Sequence, residues 1–505
     1  MKNPVSITLH PLGKTLSVEK GTPLQDVLFD YGVEFPCGGH GNCRGCRVKI
    51  IDGNAPVTPE QQKALSETEL QEGWRLACRL NADSDLTFEL AQWQTPILAD
   101  ETTFDFTPSN GYGIAVDLGT TTLVAQLVDR HTGAILGVRT ALNPQAQYGG
   151  DLMTRIEYAL SDDGQQKLCR LIRQSIYGLI REIIESSKID KNDVVTISMV
   201  GNTAMHHLFC GIDITPLSVY PFEPENDGLM RFSPDDLEWD LSSTTDICFL
   251  PCIGGFVGSD LLAGIMAVGM SRKNQITALI DLGTNGEIIV GGQDRILCAS
   301  TAAGPAFEGG RISKGMRAST GAIYQVNPQG DSFNCRVIGH TAPIGICGSG
   351  LVDAVSACLE NGMIDDYGRF TNGAKSIVLQ EPISLTQKDV RELQLAKGAI
   401  AAGLIILLEQ LDVTIDDIDH LYLAGAFGNT INSLSSYRIG LFGCSPEKVV
   451  PAGNTALIGA KMSLFSDSGN ESDYADILKR CEHVALSGNA RFQEVFVDQM
   501  MFPTE

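Results

Sequence analysis

Apolar residues fall along the chain in short runs split by glycine-rich turns, and the character of those runs changes twice. Over residues 1–95, β-like runs at Ser6–Leu9 and Arg47–Ile51 flank one helix-like run from Pro23 to Tyr31. Residues 96–110 are acidic, contain proline and threonine and lack periodicity, which reads as a linker. From Gly111 onward strand-like runs alternate with amphipathic helical ones, Gln165–Ser186 among them, so an α/β architecture is expected. That region also repeats itself. Ile114-Ala-Val-Asp117-Leu-Gly119-Thr120-Thr121-Thr122 returns 164 residues later as Leu279-Ile-Asp281-Leu-Gly283-Thr284-Asn285-Gly286-Glu287. Each copy is an apolar strand, a DLGT turn and a second apolar run, which predicts two facing lobes from a duplicated core, at 111–275 and 276–505.

Composition narrows the function. With 43% hydrophobic residues, the 505-residue chain has enough apolar material for several cores, which excludes a disordered protein. Its 37 basic against 61 acidic residues give a net charge of -24, which argues against nucleic-acid and anionic-membrane partners. The longest strongly apolar stretch, Gly398–Leu408, has 11 residues where a spanning helix needs about 20. No apolar segment follows Lys2, so a secretory signal is not expected. Fourteen cysteines in such a chain predict a reducing, cytoplasmic setting in which clustered cysteines hold metal or do redox work.

One cluster stands out. Cys37, Cys43, Cys46 and Cys78 are spaced C-x5-C-x2-C-x31-C, with Gly38, Gly39, Gly41 and Gly45 threaded through the first three. Glycines let a backbone wrap an inorganic core and aim amide N–H groups at sulfur. Three ligands from one loop and a fourth from a later strand favour a 2Fe-2S cluster over a four-cysteine zinc site, which usually presents two C-x2-C knuckles. Residues 4–92 thereby resemble the β-grasp 2Fe-2S ferredoxins, with a spacing like the adrenodoxin-like branch. Arg44, Arg47 and Lys49 beside the ligands are candidates to raise the potential or dock an acidic partner, or form a solvated strand face.

The second region resembles the actin, Hsp70 and sugar-kinase superfamily of two-lobed ATPases. The resemblance implies that Asp117, Gly119, Thr120, Thr121 and Thr122 form the first phosphate motif and Asp281–Glu287, with Gly283, Thr284, Asn285 and Gly286, the second, holding ATP with Mg2+. Gly425, Ala426, Gly428 and Asn429 then match the adenosine turn, Asn202 a first connecting segment and Gly398–Leu408 a second connecting helix. The residue types suit this chemistry, since glycine amides and threonine hydroxyls donate to phosphate and carboxylates hold hydrated magnesium.

A 2Fe-2S domain joined to such an ATPase resembles the reductive activators of corrinoid proteins. Asn143–Asp151, Gly201–His207 and Thr301–Gly309 resemble segments of that family, although only the 15-residue linker separates the domains where some members carry a longer insert. The resemblance implies an ATP-dependent one-electron transfer to protein-bound Co(II), regenerating Co(I) for a corrinoid-dependent methyltransferase system, with Asp117 and Asp281 catalytic. It implies a corrinoid protein and an external electron donor as partners and leaves room for a homodimer. Two other classes stay open: an activator of a radical dehydratase, whose bridging cluster would call on Cys252, and a redox-sensing ATPase module without turnover. His206 and His207 read as packing and surface residues before metal ligands, and the ten further cysteines, Cys252 and Cys347 among them, as buried hydrophobes. Ser300, Thr301 and Glu308 are candidates to face either the corrinoid or the nucleotide.

Overall fold

The computed structural model describes residues 4–10, 14–28, 33, 46–90, 104–283, 285–319, 321–330, 332–371, 373–428, 430–465 and 471–503. The N-terminal region forms a five-stranded sheet in the order Lys14–Glu19, Pro4–His10, Leu86–Leu90, Arg47–Asp52, Trp74–Leu76. Pro4–His10 and Leu86–Leu90 run parallel at its centre and the other pairs are antiparallel. Leu24, Val27 and Leu28 of the helix Leu24–Leu28 seal one face, sharing a core with Ile7, Leu9, Val48 and Phe88.

The two DLGT repeats sit at equivalent places in two six-stranded sheets. The first runs Met230–Phe232, Asp246–Phe249, Val194–Gly201, Tyr112–Leu118, Thr122–Asp129, Ile135–Leu142. The second runs Val449–Gly453, Ile418–Ala424, Ile276–Leu282, Gly286–Gly291, Ile296–Thr301, Cys481–His483. In both, three neighbouring strands run parallel and two hairpin pairings follow, so strand order and direction repeat together with the sequence. The fold is the expected one, a β-grasp domain followed by a two-lobed ATPase. The helix predicted at Gln165–Ser186 spans Gly164–Ser187, burying Leu168, Ile172, Ile176, Ile180 and Ile183 against the first sheet.

Between the two sheets lies a layer of two helices, Ser259–Ala267 and Thr455–Ser463, whose apolar residues share one core with Ala115, Val124 and Val200 of the first sheet and Leu279, Ile289 and Ala424 of the second. The helices touch backbone to backbone. A Cβ on Gly459 would lie 2.3 Å from the Ala263 carbonyl oxygen and 2.4 Å from its Cα. Gly459→Leu is therefore expected to destabilise the ATPase by about 3 kcal/mol or more, because neither backbone can retreat without parting the lobes. Denaturant unfolding that leaves the midpoint unchanged would contradict this packing.

Two details differ from the sequence-based expectation. Residues 104–110 are not a bare tether: Phe104 and Phe106 pack on Phe465, with Phe106 and Phe465 ring centres 4.4 Å apart, and Lys461 lies 5.6 Å from the Phe104 ring. Of the ten further cysteines, Cys252, Cys298, Cys347, Cys358 and Cys444 are buried, whereas Cys169, Cys210, Cys248, Cys335 and Cys481 are only half-buried. Among the described residues no helix is long and apolar enough to cross a membrane.

Candidate functional site

In the β-grasp domain the strand Arg47–Asp52 leads away from Cys46, and the chain returns through two short helices, Pro59–Ala64 and Glu67–Gln71, to the strand Trp74–Leu76. Arg47 pairs with Leu76, and the Ala77 N–H donates to the Cys46 carbonyl at 2.9 Å. This closure brings two cysteines 32 residues apart into contact, with Cys46 Sγ and Cys78 Sγ 3.4 Å apart. At about 2.3 Å per metal–sulfur bond, two thiolates on one tetrahedral metal lie about 3.8 Å apart, so this pair fits a shared iron with little movement. Cys37 and Cys43 lie outside the described residues. Arg47 bonds Glu69, on the helix Glu67–Gln71, at 3.2 Å and lies over the Trp74 ring, as does Lys49, so both cations are engaged within their own domain. Arg44 lies outside the described residues.

In the ATPase the two DLGT turns present a carboxylate each, Asp117 and Asp281, at the ends of the two equivalent strands. Each turn is closed locally: Gly119 N–H donates to the Thr122 carbonyl at 3.1 Å, and Gly283 N–H to the Asn285 carbonyl at 3.0 Å. A Cβ on Gly119 would meet the Thr122 carbonyl oxygen at 2.7 Å, so only glycine permits that closure. Asn202 ends the strand Val194–Gly201 and caps the helix Thr203–Cys210, accepting from the Met205 N–H at 3.0 Å. Its amide donates to Thr120 Oγ1 at 2.9 Å and so fixes a hydroxyl of the first turn.

The adenosine motif expected as a turn folds as one turn of helix, Gly425–Gly428, at the end of the strand Ile418–Ala424. Gly425 has φ of +78°, and a Cβ there would lie 2.7 Å from Asp281 Oδ1, so this element abuts the second carboxylate. Phe427 packs on Phe307 with ring centres 4.9 Å apart, joining it to the 3-10 turn Pro305–Glu308. Thr284 and Asn429 lie outside the described residues. The small residues of Gly398–Leu408 lie within the helix Gln387–Gln410, where a Cβ on Gly403 would meet Ile288 at 2.6 Å and Thr301 at 2.9 Å.

Electrostatics marks the place between the turns. Each of Asp117, Asp260, Asp281 and Glu287 keeps a partly exposed edge, yet the protein around them strips away most water. Desolvation, and then the charge of Asp117, pushes Asp281 to about 6. Asp260, in the first turn of the helix Ser259–Ala267, rises to about 7 through burial and then Asp117 and Asp281. Asp117 rises to about 6 through burial, opposed by a 2.8 Å hydrogen bond from Asn454. Glu287 is pushed well up by burial and by Asp281 and Asp260, while Ser300, its partner across the sheet, donates to it. Asp117 thus raises Asp260 and Asp281, and these two raise Glu287, a grouping of negative charge that a cation would relieve. Among the described residues no three such groups converge tightly enough to ligate a metal directly.

Asp260 should reveal this frustration in isolation. A carboxyl whose folded pKa lies above its unfolded value binds protons more tightly when folded, so its ionisation costs stability above that unfolded value. Asp260→Asn is therefore expected to raise the melting temperature of the magnesium-free chain by a few degrees at pH 8, and to lose that advantage at pH 4. An equal effect at both pH values would contradict the cluster.

The remaining candidates fall on either side. Ser300 faces Glu287 in register, and Thr301 Oγ1 donates to the Gly286 carbonyl at 3.2 Å, which places both beside the second DLGT turn. Glu308 ends the 3-10 turn next to Phe427. His206 and His207 are both fully buried, bonded to the carbonyls of Gly228 and Thr203, and burial lowers both pKa values, His206 to about 4. They are neutral packing residues. Sequence reading missed Asp260 and Asn454 and counted Glu287 only as the last residue of the second phosphate motif. A signal for Asn454 was present: Gly-Asn-Thr-Ala occurs at 201–204 and again at 453–456, each time ending a strand and capping a helix.

Comparison with known proteins follows the same divisions. Residues 7–83 match the model of the 2Fe-2S iron-sulfur cluster binding domain, residues 112–273 the RACo middle region, and residues 275–505 the C-terminal domain of RACo, the ASKHA domain. The two cofactors are accordingly a 2Fe-2S cluster and ATP with Mg2+. The chain is similar to the corrinoid activation enzyme RamQ of Eubacterium limosum, with 34% identity over 440 residues, 80% of this chain and 74% of that protein. It is also similar to a [Co(II) methylated amine-specific corrinoid protein] reductase of Methanosarcina barkeri, with 27% identity over 428 residues, 78% of this chain and 77% of that one. Among solved structures it is similar to a reductive activator for corrinoid, iron-sulfur protein, with a TM-score of 0.69, 26% identity and coverage of 99% and 98% of the two chains.

Proposed function

Because the chain belongs to the RACo family of corrinoid activation enzymes, we propose that it is an ATP-dependent reductase passing one electron to protein-bound Co(II). The product is Co(I), restored for a corrinoid-dependent methyltransferase system. The observation that carries this reading is the presence in one chain of a closed cysteine pair in a β-grasp domain and a desolvated group of carboxylates between the two DLGT turns.

The bound cluster supplies a one-electron carrier, and magnesium neutralises phosphate charge. Cys37, Cys43, Cys46 and Cys78 hold the first. Asp117 and Asp281 would hold the hydrated magnesium, with Asp260 and Glu287 adding negative charge nearby, and Asn454 holds Asp117 in place. Amides and hydroxyls of Gly119, Thr120, Thr121 and Thr122, steadied by Asn202, bind phosphate on one side, and Gly283, Thr284, Asn285 and Gly286 on the other. Gly425, Ala426, Gly428 and Asn429 seat the adenosine. The domain divisions fall at 95, 110 and 275; the chain works in the cytoplasm with an external electron donor, and a homodimer is compatible with this scheme.

ATP is needed because the Co(II)/Co(I) step lies uphill of ordinary ferredoxins, and energy enters through lobe closure on the partner. A coupling of about 1–3 kcal/mol between sites moves a one-electron couple by about 40–130 mV. Only a partner bound differently in its redox states biases such a device. ATP hydrolysis is thus expected to rise more with the Co(II) form of a corrinoid protein than with its Co(I) or methylated form. Equal stimulation by all three forms would sink the coupling. A radical-dehydratase activator is disfavoured because the matching family models and the relatives covering most of the chain are those of corrinoid activation.

A further inference from the structure

The strand Ile135–Leu142 at the edge of the first lobe's sheet runs into Asn143 and the 3-10 turn Pro144–Gln147, and this short segment touches two domains at once. One end grips the first phosphate turn. Asn143 is fully buried; its backbone N–H donates to the Thr121 carbonyl at 2.7 Å and its side-chain amide to the Gly119 carbonyl at 2.9 Å. The other end seats the β-grasp domain. Leu142 and Ala146 pack against that domain's core, and Gln25, on the helix Leu24–Leu28, donates to the Gln147 carbonyl.

The segment is stiffened from below. Gln145, also buried, bonds the Leu168 carbonyl at 3.1 Å, and its own side-chain oxygen accepts from Arg155 at 3.4 Å. Arg155 is fully buried and gives two further hydrogen bonds, of 3.2 and 2.9 Å, to the Gly149 carbonyl. A buried guanidinium is tolerated only while such acceptors stay in place, so the segment resists bending between its ends.

We propose that Leu142–Gln147 links nucleotide occupancy of the Gly119–Thr122 turn to the docking of the 2Fe-2S domain, with Asn143 the positioning residue and Leu142, Ala146 and the Gln147 carbonyl the seat. Phosphate drawing on the amides of that turn shifts the two carbonyls that Asn143 holds, and the seat moves with them. Linkage makes the effect reciprocal: docking alters nucleotide affinity by the factor by which nucleotide alters docking. The proposal rests on the nucleotide reading of the turn.

The test uses the full-length holoprotein and a nonhydrolysable ATP analogue. Hydrogen exchange of the helix Leu24–Leu28 is expected to change about threefold or more when the analogue binds. In Asn143→Ala that response is expected to vanish. Should that variant fold poorly, Ala146→Asp serves: placed outside the nucleotide turns, it should expose Leu24–Leu28 and shift the analogue's Kd by about threefold or more. A wild-type chain that binds the analogue with unchanged exchange at Leu24–Leu28 overturns the linkage alone, as does an undocked Ala146→Asp chain of unaltered Kd. Failure of the wild type to bind the analogue overturns the nucleotide reading as well.

Discussion

Cys78→Ser is expected to strip the protein of its visible iron-sulfur absorbance and to lower electron delivery to a corrinoid protein by at least about 100-fold. Partners that merely hydrogen-bond a metal ligand are worth about 10–100-fold, so loss of a ligand costs no less. Among the described residues Cys78 is the cysteine placed against Cys46. Its sulfur sits 3.4 Å from that of Cys46 because the Ala77–Cys46 backbone bond ends the Arg47–Leu76 hairpin there. The three cores of the two lobes contain neither cysteine, so basal ATP hydrolysis should survive. Cys252→Ser, its control, should leave iron content unaltered. Full absorbance in Cys78→Ser would contradict the ligand assignment.

Asp117→Asn and Asp281→Asn are each expected to lower ATP hydrolysis by about 10²–10³-fold, the scale of a few kcal/mol of charge stabilisation in a metal-assisted step. At Asp117 the change has a second cost, since the new amide would set an N–H group against the Asn454 amide, or turn to keep that bond and face its own donors toward the metal. Thermal stability should move the other way. Each substitution removes a carboxylate whose own pKa burial raises and whose charge raises a neighbour's, Asp117 acting on Asp281 and Asp260, and Asp281 on Asp260, so the metal-free variants should melt no lower than the wild type at pH 8. Loss of activity without loss of stability separates a functional carboxylate from a structural one. Wild-type hydrolysis in both variants would refute the two-turn site.

The sequence made the two hairpin turns legible because their chemistry is contiguous: strand, acid, glycine and hydroxyls follow in order, and the second copy repeats them. Asp260 was not legible. It is an ordinary acid at the start of an apolar helix, and only the packing of that helix between the sheets carries it toward Asp117 and Asp281. Asn454 escaped for a different reason: its Gly-Asn-Thr-Ala ends the strand Val449–Gly453, two strands from the second DLGT strand, whereas the copy at Asn202 ends a strand directly beside the first. The two copies therefore do not mark equivalent places, yet both side chains reach the first turn. Phe104 and Phe106 likewise looked like linker, since the phenylalanine that anchors them, Phe465, is more than 350 residues away.

On the function proposed above, ATP binding in the two-lobed domain drives electron delivery from the 2Fe-2S domain of the same chain. That coupling is tested most directly by mixing the iron-loaded, pre-reduced full-length protein with a corrinoid protein in the Co(II) state and following conversion to Co(I) by absorbance, with and without MgATP. The account predicts conversion that is fast and extensive with MgATP and slow or incomplete without it. Identical rate and extent in both would contradict it.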